Sequence, residues 1–298
     1  MTAWIDPWRA ATVALGQVRS RHQQKPRSRR ANPHTQFSMV GSGVIFGLGN
    51  DPTKTPWLVT AKHVFSDPDE GWRPKSLHLR FSWFAEDNLG PSIELWRHGR
   101  RRWIPHPDRD VDLACVPLDL GRDQTGRAKL PRITAKEFAP VKEIYEGASV
   151  AILGYPGAVG HRFWSHALVR QGMISWVSPG APGSEVFLVD SNMFPGNSGG
   201  PVFKLPAGTD REGRFAVHDE VAFLGIVSQA RIQMMALIAG GKELEVHFKK
   251  KKKPEPLLIP SFVALGIVEP AFRVKQLLIA AAKSCRRITT KEQAHVRA

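Results

Sequence analysis

The sequence predicts an all-β chain closed by a C-terminal helix, with its strands in two antiparallel barrels packed together. Three observations carry this. Short apolar runs recur along the chain, separated by Gly, Pro and charged clusters. A charged stretch broken by Pro and Gly, Asp119 to Gly147, divides those runs into two sets and reads as a linker between halves. The period changes at the end, in EPAFRVKQLLIAAAKSC, where Phe272, Val274, Leu277, Leu278 and Ala281 fall near one helical face.

The strands follow in order. TVALGQV, Thr12 to Val18, is the first. SGVIFGLG, Ser42 to Gly49, and WLVTAKHVF, Trp57 to Phe65, come next, joined by the hairpin-type connection DPTKTP. SLHLRFSWF alternates apolar and polar residues over part of its length, as a half-buried strand does. IELWRHGRRRWIPH reads as a hairpin with a basic turn near Gly99, and DVDLACVPL follows. After the linker come SVAILGYP, HALVRQGMISWV, EVFLVDS, GPVFKL, EVAFLGIVSQ and PSFVALGIV. Pro270 suits the first position of the final helix, where its missing N–H costs nothing. The expected division is 1–140, 141–283 with the helix, and a polar, frayed tail over 284–298.

Lys and Arg number 42 against 27 Asp and Glu, a formal charge of +15, which favours acidic partners. The basic runs Arg19 to Arg30 and Lys249 to Lys253 lack interleaved aromatics. Their attraction to phosphate would be nonspecific, so nucleic acid is not the expected partner. On the usual behaviour of charge runs, the lysines are expected in a solvated loop. The two cysteines suggest no disulfide framework, and Cys115, inside LACVPL, reads as a small core residue. No basic n-region opens the chain and no apolar run approaches the ~20 residues of a membrane span. The expectation is a cytoplasmic protein with no membrane association. Gly41 to Gly43 lacks nucleotide-binding spacing, and no H-E-x-x-H or C-x-x-C occurs. No metal or other cofactor is expected.

FPGNSGGP, Phe194 to Pro201, sets one hydroxyl among three glycines and between two prolines. A tight turn between strands would account for this, and so would a turn shaped to hold Ser198 forward with backbone N–H groups aimed into one small space. A nucleophilic serine needs a base and a group to orient it. His63, after the apolar WLVT, is the candidate base; it also reads as a surface histidine at a strand end. Asp112 immediately precedes LACV and is the candidate buried acid. Asp110 shares its strand face, and a strand-start aspartate making a turn bond would explain either.

SGVIF, TAKHVF, DVDLACV and PGNSGGPVF together resemble the motifs of chymotrypsin-fold, trypsin-like serine peptidases, in the His, Asp, Ser chain order of that family. The likeness is strongest to bacterial trypsin-like peptidases and Do-type catalytic domains. It extends as discontinuous motifs over roughly Thr12 to Leu278, and without a PDZ-like module it does not imply a Do-type oligomer. The resemblance implies two six-stranded barrels and a serine endopeptidase acting on a protein or peptide. Ser198 would attack the carbonyl, His63 would shuttle the proton, and Asp112 would hold the His63 tautomer. The N–H groups of Gly196 and Ser198 would receive the oxyanion. The pocket base would lie near Asn192, with Ser228 and Gly266 on its walls. A neutral Asn192 does not support strict Lys or Arg preference and leaves a small or medium apolar side chain as the expected one. Asn197 stands where digestive relatives carry Asp, so activity should not need N-terminal cleavage. Lys62 replaces a small residue and should be tolerated as an exposed chain. A cytoplasmic peptidase would need narrow specificity or gating by a regulatory partner. A catalytically silent scaffold with basic loops contacting an acidic partner is the alternative.

Overall fold

The computed structural model describes residues 4–19, 36–47, 55–82, 90–118, 130–160, 163–181, 183–217, 221–236, 238–239, 242–243, 245–246, 255–256 and 258–296. The basic stretches 20–30 and 249–253 lie outside the described residues, as does 119–129 of the expected linker.

A short helix α1 (Asp6–Ala11) leads into β1 (Thr12–Arg19) and β2 (Gln36–Phe46). Then come β3 (Trp57–Ala61), a single helical turn α2 (Lys62–Phe65), β4 (Ser76–Phe81), β5 (Ser92–Glu94), β6 (Trp96–Arg97), β7 (Arg100–Arg101), β8 (Ile104–Pro105) and β9 (Leu113–Pro117). The second half holds β10 (Ser149–Gly154), β11 (Leu168–Val177), β12 (Phe187–Asp190), β13 (Pro201–Lys204), β14 (Ala207–Thr209), β15 (Phe215–Val217) and β16 (Ala222–Ala236). Four two-residue strands follow, β17 (Ile238–Ala239), β18 (Lys242–Glu243), β19 (Glu245–Val246) and β20 (Glu255–Pro256), before β21 (Leu258–Pro270) and helix α3 (Ala271–Val296). Among the described residues, no helix is long and apolar enough to cross a membrane.

The second half closes as expected: β10-β11-β12-β21-β16-β13 form a six-stranded barrel, sealed where Val150 to Ile152 pair with Lys204 to Val202. The first half departs from the expected six-stranded barrel. It is an open seven-stranded sheet in the order β5-β4-β1-β2-β3-β9-β8. Its edge strands β5 and β8 have three and two residues. Such short edges offer too few N–H and C=O groups to pair across the gap, and short edges also resist pairing with other chains.

Alternation decides which side chains are buried. In β4, Leu77, Leu79 and Phe81 are buried while Ser76, His78 and Arg80 are not. The basic hairpin β6–β7 turns through His98 and Gly99 at φ 48° and 74°, two left-handed residues of the kind that match strand twist. The core has three parts: one inside the first sheet, one inside the barrel, and one along the seam between them. At the seam, Phe46 of β2 meets Phe223 of β16 at 5.3 Å, and Trp8 of α1 lies 4.4 Å from Phe203. Each such buried side chain contributes about 1.5–3 kcal/mol, so the halves are held as one body by apolar area.

Helix α3 buries Val274, Leu277, Leu278 and Ala281 in the seam core. Phe272, expected on that face, is 43% exposed. Two residues before Val274 is about 200° around the helix, so its side chain points away. Pro270 ends β21 rather than opening the helix, which starts at Ala271. The stretch expected to be a frayed tail continues the helix to Val296.

Candidate active site

His63 is set by the element that follows β3, not by the strand itself. All five residues of β3 are buried, and the chain then folds into the single turn α2. Val64 and Phe65 anchor that turn in the core of the first sheet, and Trp72 Nε1 donates to Val64 O at 3.0 Å. With its neighbours pinned, His63 is left at the surface of the turn, its side chain 32% exposed.

Asp112 is the last residue before β9, and both its oxygens are in use. Oδ1 accepts from the backbone N–H of His63 at 3.0 Å, and Oδ2 meets His63 Nδ1 at 2.7 Å. Asp112 O accepts from Lys62 N–H at 3.1 Å. A carboxylate is an acceptor, so His63 Nδ1 is the donor of this contact. The Asp112 side chain is 15% exposed, which keeps water from competing for these bonds. Asp110, its companion candidate, donates its own backbone N–H to Asp108 Oδ1 at 3.0 Å in an exposed turn.

The Ser198 turn is built from glycines that nothing larger could replace. Gly196 and Gly199 take φ of 100° and 87°. A Cβ on Gly199 would come within 1.9 Å of Ser42 O and 2.1 Å of Thr60 Oγ1. Two carbonyls of the turn are already paired: Pro195 O accepts from Gly157 N at 2.9 Å, and Asn197 O accepts from Gly200 N within the turn at 2.8 Å. In a planar trans peptide the N–H points opposite to the C=O. The N–H groups of Gly196 and Ser198 are therefore turned away from those anchors, and among the described residues neither meets an acceptor.

Ser42 is the residue whose part in this the sequence did not disclose. It was legible only as one letter of a strand, SGVIF. From β2 its Oγ donates to Gly196 O at 2.7 Å, its N–H donates to Ser198 O at 2.8 Å, and Oγ accepts from Tyr155 N at 2.9 Å. One buried serine thus ties the turn to the opposite half. Thr60 Oγ1 in turn holds Ser42 O at 2.7 Å.

His63 and Ser198 line the same cleft, of about 240 Å³, together with Phe194, Pro195, Asn197, Val227 and Gln229. The trypsin-like peptidase domain family matches residues 41–209, more than half of the chain and a span containing all three candidate residues. The chain belongs to this family. No curated protein matches it. One solved structure that does is Rv3671c from M. tuberculosis H37Rv, in the inactive form of a serine-to-alanine mutant. It is 17% identical, with 93% of this chain and 89% of that chain covered at a TM-score of 0.42.

The three pocket candidates of this trypsin-like peptidase domain are dispersed. Asn192 lines a neighbouring cavity of about 790 Å³ with Arg170, Asp190 and Ser191, joined to the cleft through Phe194. Gly266, on β21, pairs with Val189 and Ala230 and packs against Met193. Ser228 is buried and is the extra residue of a bulge between Val227 and Gln229. Its hydroxyl turns to Asp112 Oδ2 at 3.2 Å, while Val227 and Gln229 line the cleft. A bulge re-aims side chains in a way that strand alternation read from sequence does not anticipate.

Asn197 is buried beside Arg170. With its amide turned so that oxygen faces donors, it accepts from Phe194 N at 3.1 Å and from Arg170 Nη1 at 3.2 Å. Arg170 also donates to Asn192 O and lies 4.6 Å over the Phe194 ring. Burial lowers the Arg170 pKa. Lys62 is more than a tolerated exposed chain: its Nζ donates to the carbonyls of Arg109 at 2.7 Å and Val111 at 3.3 Å. Among the described residues, no group of three His, Cys, Asp or Glu side chains is arranged to hold a metal ion.

Proposed function

We propose that this trypsin-like peptidase domain is a serine endopeptidase working through Ser198, His63 and Asp112. The supporting observation is the 2.7 Å contact between His63 Nδ1 and Asp112 Oδ2, with the imidazole on the same cleft as the Ser198 hydroxyl. In this reading Nε2, left with its lone pair, takes the Ser198 proton as Oγ bonds to the substrate carbonyl carbon. The N–H groups of Gly196 and Ser198 receive the oxyanion, each worth ~3–4 kcal/mol at the transition state. His63 then protonates the leaving amine, the C–N bond breaks, and an acyl-Ser198 ester remains for water to hydrolyse by the same route in reverse.

In this reading the labour is divided between the two halves. Residues 1–140 supply base and acid, and 141–283 supply the nucleophile and the oxyanion turn. Phe194, Pro195 and Val227 make the cleft walls largely apolar, which supports preference for an apolar side chain over Lys or Arg. A fluorophosphonate probe decides the matter: wild type should be labelled and Ser198→Ala should not. A folded wild-type chain that takes no label would favour a silent binding module on the same fold. Narrow specificity, or gating by a partner, belongs to the same proposal, and broad degradation of casein by the purified chain would contradict it.

A further inference from the structure

Glu269 is a charged residue in an apolar place. It is 2% exposed, near the end of β21 and just before α3. A buried carboxylate is costly unless paired and hydrogen-bonded. Its two oxygens answer that requirement in two directions. Oε2 pairs with Arg273 Nη1 at 2.8 Å, one turn along and 20% exposed. Oε1 accepts from the backbone N–H of Asp112 at 3.1 Å, 157 residues away in sequence. Arg273 is itself fixed, since its Nε donates to Ser184 O at 3.0 Å.

The chemistry of this arrangement points at Asp112. The loop leading to it lies against the start of α3: His106, Pro107, Asp108 and Val111 share a cavity of about 340 Å³ with Phe272 and Arg273. Asp112 must present two oxygens to two different donors of His63, so a small rotation of its backbone would lose one of them. A carboxylate accepting its N–H fixes that rotation. An uncompensated carboxylate there would also repel the Asp112 side chain a few bonds away, and Arg273 supplies the opposing charge. A neutral acceptor would hold the same N–H without that penalty, so a Gln at this position separates the hydrogen bond from the charge.

We propose that Glu269, charge-balanced by Arg273, is a positioning residue for Asp112, so that the root of the C-terminal helix sets the geometry of the candidate base. This rests on the peptidase reading. The test uses the full chain and inactivation by a fluorophosphonate probe, separating the maximal rate from the half-saturating concentration. Glu269→Ala should lower the maximal rate about tenfold, as loss of a hydrogen bond to a charged group does, with half-saturation unchanged within about twofold. Glu269→Gln, which keeps an acceptor for Asp112 N–H, should recover most of the rate. Arg273→Met should also be slow, and Glu269→Gln with Arg273→Met should be faster than Arg273→Met alone; this pair decides the question where Glu269→Ala does not fold. Equal rates for wild type and Glu269→Ala, equal rates for the Ala and Gln variants, or no recovery in the double variant would each overturn the proposal. A low-field proton resonance from His63 Nδ1 provides the readout independent of hydrolysis. It should be present in wild type and broadened in Arg273→Met, and its persistence unchanged would overturn the positioning role. An unlabelled wild type with that resonance intact would instead count against the peptidase reading alone.

Discussion

Ser228 Oγ donates to Asp112 Oδ2 at 3.2 Å, onto the same oxygen that meets His63 Nδ1 at 2.7 Å. The hydroxyl comes from the barrel half, while the acid and the imidazole belong to the open sheet. The candidate acid is therefore completed across the seam. Ser228→Ala should remove one bond to a charged acceptor, worth about 1.5–3 kcal/mol. The expected outcome is a clear loss of fluorophosphonate labelling rate together with a melting temperature lowered by several degrees. A rate equal to wild type would show that His63 alone suffices to hold Asp112.

Lys62 anchors the acid loop from the other side, through the carbonyls of Arg109 and Val111. Bonds of this kind contribute about 0.5–1.5 kcal/mol each. Lys62→Met keeps the aliphatic stem and loses the donors, and is expected to lower the melting temperature by a few degrees. Thermal unfolding followed by circular dichroism measures this directly.

Gly199 and Gly213 separate crowding from backbone strain. Both have positive φ, 87° and 80°, but a Cβ on Gly213 would meet nothing within 4 Å. Gly213→Ala is expected to cost about 1–3 kcal/mol, the usual range for a strained residue. Gly199→Ala adds a collision with Ser42 O and Thr60 Oγ1 and is expected to cost about 4 kcal/mol or more, enough to prevent soluble expression or folding. Equal urea midpoints for the two variants would refute the argument.

Arg170 brings a cation to the turn from within the chain, touching Asn192 O and the Phe194 ring. The full-length chain should therefore take the fluorophosphonate label without trimming at its N-terminus. Arg170→Met should slow labelling by about tenfold, in line with loss of a hydrogen bond from a charged donor. Full-length protein that stays inert until cleaved would defeat this expectation.

His106 is 6% exposed, and burial lowers its pKa from the ordinary 6.5. Its Nδ1 accepts from Asp108 N–H at 3.1 Å, a bond available only while Nδ1 carries no proton. The folded state thus binds the proton less readily than the unfolded chain. Its contribution is complete above pH 6.5 and is lost as the pH falls from there towards the lowered folded value. Melting temperatures measured across that window should fall with acidity, and His106→Gln should flatten the dependence.

The order of apolar runs was enough to read the strands, because alternation and Gly–Pro punctuation are local properties. Thr12–Arg19, Leu113–Pro117 and Ser149–Gly154 stand where the runs predicted them, whereas the run expected as a strand over Trp57 to Phe65 is a strand only to Ala61 and turns helical over Lys62–Phe65. The motifs likewise singled out His63, Asp112 and Ser198 as candidates, since each sits in a short segment of distinctive chemistry, and the structure brings His63 to Asp112 and to the cleft that Ser198 lines. Closure of the first sheet, the direction of Ser228 and the company kept by Asn192 were not legible. They depend on edge length, a bulge and packing between distant strands. Ser42, Lys62, Arg170 and Glu269 were hidden for the same reason: each acts on a backbone group of a residue far away in sequence. A pattern in the chain can announce which side chains carry chemistry. Which neighbours hold them in place is decided only when burial forces every polar group to find a partner, and that choice is made in three dimensions.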